Sequence, residues 1–301
     1  MLCFEQSGAA AAIVARSVCE ILRDGGVGEV LMVNSSGIYL DVGGQIILLC
    51  DKAWGCVPIG IAVEDLAKRL EKLKIMQGES FEFCENSLIF SGRRLNLEVT
   101  AAREITITPD RPQPPLLRRA AEDLVDSRKL RGISMLALPL LLQDDKCDVA
   151  SINPYCARAL PLLVGLAEAM TSCSERKIRE CVDSLLGLGT GLTPSADDVM
   201  LGMLYAFRKL GCDAPPSAAV LRAGIDEMCE SHTVRVSAAY LKAVLADAYF
   251  ERIEQVWDGL CGLQPLDTSA LLEVGSSSGS EMLLGILLAL HVSGYDININ
   301  K

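Results

Sequence analysis

Apolar residues recur at helical spacing between residues 8 and 23, after an alanine-rich start, and Gly25-Gly26 ends the run. A helix over 8–23 is expected there. The pattern then changes. The stretch VGEVLMVNSSGIYLDVGGQIILLC holds β-branched and aliphatic runs, broken at Asn34-Ser-Ser-Gly37 and at Gly43-Gly44. Both breaks suit tight turns, so a meander of hairpins is expected. Residues 63–73 return to helical spacing. SLIFSGRRLNLEV and EITITPD read as strands, with Ser91-Gly92 as a further turn. After Asp110-Arg-Pro-Gln-Pro-Pro115 the spacing is helical, over 116–131, 159–171, 175–187, 195–210, 217–230, 234–249, 250–260 and 280–292. Prolines stiffen linkers and stop regular elements, so this joint is the best boundary. The fold class is therefore α+β. A β-rich N-terminal domain, 1–112, precedes a mostly helical C-terminal domain, 113–301.

Composition narrows the classes. Half of the 301 residues are hydrophobic and only 5% are aromatic, so a large aliphatic core is expected. The net charge is −11, and no long run of Lys and Arg offsets it. Phosphate attraction needs basic patches, so nucleic acid is not an expected partner. The twelve cysteines are scattered, and no two have C-x-x-C spacing. Reduced thiols in a cytoplasmic protein are the expectation. The N-terminus has no basic segment before its apolar stretch. The most hydrophobic segment, Met282 to Val292, is too short to span a bilayer.

The chemistry concentrates in GLGTGLTPSADDVMLG, residues 187–202. Thr193 suits a helix N-cap and Pro194 the first helical position. Asp197 and Asp198 then fall near the first turn, where negative charge complements the helix dipole. Gly187, Gly189 and Gly191 precede them. Free amides at such a helix start can hold a phosphate or carboxylate. The aspartates, with the hydroxyls of Thr193 and Ser195, form an oxygen set that suits a hard cation such as Mg²⁺. A tight turn and a solvated first turn account for the same residues, and the pattern alone leaves both readings open.

One internal echo stands out. SADDVMLGML at 195–204 matches SGSEMLLGIL at 278–287: Ser195 with Ser278, Asp198 with Glu281, Gly202 with Gly285. Both follow loops rich in glycine and hydroxyls. The two glycines lie inside helical runs, where each costs about 1 kcal/mol relative to alanine, and close helix approach is the preferred explanation. The second loop places Ser277, Ser278 and Gly279 as a second candidate anion cradle. His232 and Arg235 stand together where two helices join, and Arg235 could pair with an acidic ligand. No nucleophile–histidine–acid order stands out.

With these residues assembled, the chain resembles the third-subunit (AllH-type) proteins of oxamate carbamoyltransferase. The resemblance lies in LGLGTGLTPSADDVMLGML, SHTVRVSAAYLKA at 231–243 and VGSSSGSEMLLGIL at 274–287, covering roughly 184–290. It implies a role in anaerobic allantoin and purine breakdown, in a complex that interconverts oxalurate plus phosphate with oxamate plus carbamoyl phosphate. On that reading Gly189, Thr190, Gly191, Thr193, Ser195, Ser277, Ser278 and Gly279 bind the small anionic substrate. Asp197, Asp198, His232 and Arg235 are the candidate catalytic residues. Asp197 or Asp198 would hold Mg²⁺ or orient the carbamoyl nitrogen. Companion carbamoyltransferase subunits are the implied partners, in an oligomer. Two other readings remain: a non-catalytic assembly subunit, and a stand-alone protein that binds a small anion.

Overall fold

The alternating N-terminal stretches pair into a closed barrel in the computed structural model, which describes residues 9–34, 37–101, 110–127, 131–141, 153–248 and 250–297. The chain divides into two compact units. One is Met1–Ile105 with Ala246–Arg252; the other is Thr106–Leu245 with Ile253–Lys301.

The barrel strands are β1 (Ala10–Val14), β2 (Gly26–Asn34), β3 (Gly37–Val42), β4 (Gln45–Asp51), β5 (Gly60–Val63), β6 (Ser80–Cys84), β7 (Ser87–Phe90) and β8 (Arg93–Ala101). Their order around the barrel is β1-β5-β4-β3-β2-β6-β7-β8. Hairpins form where the turn residues predict them. Gly43 and Gly44 join β3 to β4 with φ of 58° and 93°, and Ser91-Gly92 joins β7 to β8 with φ of 41° and 86°. The closure is not a simple meander, because β4 runs parallel to β5 and β1 runs parallel to β8. Inward positions recur at every second residue, as a pleated strand requires. Ala10, Ala12, Val14, Ile38, Leu40, Ile47, Leu49, Ile61 and Val63 fill the interior and are completely shielded from solvent.

The expected helix over 8–23 is corrected. Residues 10–14 form β1, and the helix is confined to Arg16–Asp24. Alanine favours a helix locally, but here three small alternating side chains close the barrel between β5 and β8. The expected strand EITITPD lies outside the described residues, apart from its last, Asp110.

In the second unit the predicted helices are present, although the first and the sixth end earlier than expected and the second begins earlier: Pro114–Val125, Pro154–Thr171, Glu175–Leu185, Ser195–Leu210, Ser217–His232, Arg235–Leu245, Glu251–Leu260 and Ser278–Val292. Glu251 and Arg252 belong to the barrel unit. The sequence pattern did not show the short 3-10 turn Gly132–Leu136 or the helix Ala137–Leu141. The Ser195–Leu210 and Ser278–Val292 helices form the core of this unit, with nearly every residue buried. That explains their weak polar faces, since a helix apolar all round is a buried one. Among the described residues, no helix is long and apolar enough to cross a membrane.

Candidate functional site

The two halves of the sequence echo pack against each other. A Cβ on Gly202 would lie 2.1 Å from the Met282 carbonyl oxygen, and one on Gly285 would lie 2.0 Å from the Val199 carbonyl oxygen. Met282 and Val199 are themselves equivalent in the echo. The helices therefore cross backbone to backbone about a local two-fold relation, and only glycine fits at either crossing point.

That crossing brings the helix starts together. Asp198 and Glu281 are each 1% exposed. Each takes a hydroxyl from the opposite helix, Ser278 on Asp198 and Ser195 on Glu281. Thr193 also bonds Asp198, and its Oγ1 shares a 3.1 Å hydrogen bond with Ser278 Oγ. Glu281 accepts from the Ile133 backbone N–H at 3.0 Å and from Ser277 Oγ at 3.1 Å. Asp198 Oδ2 is buried with no hydrogen-bond partner among the described residues. Burial pushes Asp198 well above the usual carboxylate range. The Glu281 charge pushes it further, and the two hydroxyls pull it back. Glu281 is also raised, by burial, against the hydrogen bonds that favour its charge.

Asp197 points elsewhere. It accepts from Gly187 N at 2.8 Å, from Ser237 Oγ at 2.7 Å and from Thr233 Oγ1. It ties the glycine loop to the start of the Arg235–Leu245 helix. Burial raises its carboxyl and these donors oppose the rise. The aspartates thus have separate surroundings and do not converge on one ion. Among the described residues, no three His, Cys, Asp or Glu side chains gather as metal ligands.

The loop folds back over its own helix. Ala196 N donates to Leu188 O at 3.0 Å, and a Cβ on Gly189 would meet Ser195 N at 2.3 Å. Thr190 and Gly191 form the exposed tip, and nothing among the described residues lies within 4 Å of a Cβ placed on Gly191. The helix begins at Ser195, with Pro194 at the capping position and no side-chain cap. The Thr193 cap is therefore corrected: its hydroxyl is drawn to Ser278 and Asp198 instead. In the second loop, Gly279 presses on the Leu271 carbonyl, where a Cβ would lie at 1.8 Å. It serves packing at the helix start.

His232 and Arg235 are exposed. His232 Nε2 pairs with Asp183 at 2.9 Å, and its Nδ1 lies 2.8 Å from Ser231 Oγ. Sequence reasoning left out Glu281, Ile133 and Gly132 as site residues. The echo already marked Glu281 as the counterpart of Asp198. Nothing local marked Gly132, which has a φ of 57° and whose Cβ would lie 2.3 Å from Glu281 Oε1. Its carbonyl accepts from Asn153 Nδ2 at 3.4 Å, a contact across the fold.

The family model described as oxamate carbamoyltransferase subunit AllH matches residues 185–290. The matched segment runs from the glycine loop to near the end of the second crossing helix, and contains Asp197, Asp198 and Glu281. No solved structure matches the chain significantly.

Proposed function

We propose that the chain is a subunit of an oxamate carbamoyltransferase, an assembly that interconverts oxalurate plus phosphate with oxamate plus carbamoyl phosphate in allantoin and purine breakdown. The observation that carries this reading is the family match over 185–290, which coincides with the paired helix starts. The exposed Thr190–Gly191 tip is the part of the loop open to a substrate, with the hydroxyls of Thr193, Ser277 and Ser278 behind it. Catalysis on this reading comes from positioning and fixed dipoles, with no covalent nucleophile. Phosphate, carbamoyl phosphate and the oxamate-type acids are the ligands, and companion subunits complete the enzyme. Asp197 acts as a clamp on the loop.

A specific observation favours a second reading, the assembly subunit. The helix-start amides of Ala196, Asp197 and Asp198 donate to Leu188 and Pro194 carbonyls, and that of Gly279 donates to Val274. An anion would have to displace protein acceptors to use them. Thr190→Trp separates the readings, because residue 190 is exposed at the loop tip and lies outside the positive-φ positions that need glycine. The expected result is lost carbamoyl phosphate formation in an assembly that still forms. Lost assembly moves the second reading ahead, and unchanged turnover removes the loop from both roles.

A further inference from the structure

One of the two related helix starts lacks a donor that the other has. Asp198 and Glu281 occupy equivalent places on crossing helices, and each takes a serine hydroxyl from the opposite helix. Glu281 has in addition a backbone N–H, that of Ile133 at 3.0 Å. Asp198 has Thr193 as its second hydroxyl, and its Oδ2 is left without a partner among the described residues at 1% exposure. A buried oxygen in that state is costly, and native folds leave few of them. The Asp198 half is short of one N–H donor.

We propose that Asp198 Oδ2 receives an N–H of a primary carboxamide or carbamoyl group, so that Asp198 orients the nitrogen end of the substrate. The choice of ligand rests on the carbamoyltransferase reading; the missing donor does not. Charge favours a neutral N–H over the alternatives. A second anion would face two acidic side chains. A cation would face two helix starts, where the backbone dipoles are positive at their ends. Asp197, which the sequence places beside Asp198, is not a competitor, since three donors already hold it. Access requires one segment to move. Thr193 bonds Asp198 and belongs to the loop whose tip, Thr190–Gly191, is exposed. The movement the proposal requires is displacement of Thr193 from its 3.1 Å bond to Ser278. No covalent bond is made or broken at Asp198, which is a positioning residue.

The test uses the full chain assembled with its companion subunits, titrated calorimetrically with oxamate and with oxalate. The two probes are close in shape, and oxalate carries an oxygen where oxamate carries NH₂. Wild type is expected to bind oxamate at least about tenfold more tightly than oxalate, the range for satisfying one buried acceptor that is otherwise unpaired. In Asp198→Asn the preference should vanish while the melting curve remains cooperative. Equal binding of the two probes by wild type, no binding of either, or a preference kept in Asp198→Asn overturns the proposal. If the variant does not fold, the wild-type comparison together with the shift of the ¹⁵N-oxamate amide protons on binding decides it. A wild-type assembly with the preference but no carbamoyl phosphate formation sinks the transferase reading and leaves the carboxamide site standing. Turnover without the preference overturns the site alone.

Discussion

At the scale of the residue, Gly202 and Gly285 tolerate least. Each faces a carbonyl of the other helix, at distances no real Cβ occupies. Alanine at either forces the helices apart along their whole buried length. The expected loss is about 1–3 kcal/mol for Gly202→Ala and a similar loss for Gly285→Ala, read from urea midpoints. Equal costs would confirm the two-fold relation, and a cost near zero at either would show that the helices separate freely. Both glycines were visible in the sequence as misfits inside helical runs. Their partners were not, because a carbonyl on another helix leaves no mark on local spacing. The same limit hid Gly132, whose φ of 57° matters only because Glu281 lies over it.

At the scale of the element, the Ser195–Leu210 helix carries a second buried device near its other end. Lys209 Nζ donates to Glu254 at 2.9 and 3.2 Å, and the Tyr205 hydroxyl donates to the same carboxylate. Lys209 and Glu254 are 2% and 6% exposed. Removing one member of such a pair leaves an uncompensated charge. Lys209→Met is expected to cost about 3–5 kcal/mol. Lys209→Met combined with Glu254→Leu should recover much of that loss, because well-packed apolar replacements of a buried pair are often neutral. A double-mutant cycle in denaturant gives the coupling directly. Strict additivity would mean that the ions do not sense each other. Helix existence was legible here from 195 to 210 to the residue. That Lys209 is buried was not, since a lysine in a last turn is ordinarily a solvated complement to the helix dipole.

At the scale of the whole molecule, the buried carboxyls set a pH dependence with a definite sign. Burial holds Asp197, Asp198 and Glu281 above their ordinary values of 3.8, 3.8 and 4.5. The folded chain keeps protons there that the unfolded chain releases. Their stabilising contribution is full below those ordinary values and declines as pH rises through each raised folded value. Asp65, Glu227 and Asp267 are lowered by their hydrogen-bond partners and slope the other way. They lie at or near the surface, where such pairs contribute little. Asp198→Asn, neutral at every pH, should therefore melt higher relative to wild type at about pH 8 than at about pH 4. A difference in melting temperature that is flat across that range would mean that Asp198 titrates as it does in the unfolded chain.

Hydrophobic periodicity determined the α+β class and most of the helices after residue 113, and turn residues determined the hairpins at Gly43-Gly44 and Ser91-Gly92. These follow from local geometry, with a period of two for strands and 3.6 for helices. The sequence echo also marked these two helices as built alike. Tertiary structure decided the rest. It made 10–14 a strand because a barrel needs closing, and it drew Thr193 from a capping role to Asp198. It also parted Asp197 from Asp198 and joined Asp198 to Glu281. Adjacent residues on a helix point about a quarter-turn apart, so neighbours in sequence meet different partners, while equivalent positions on crossing helices meet each other.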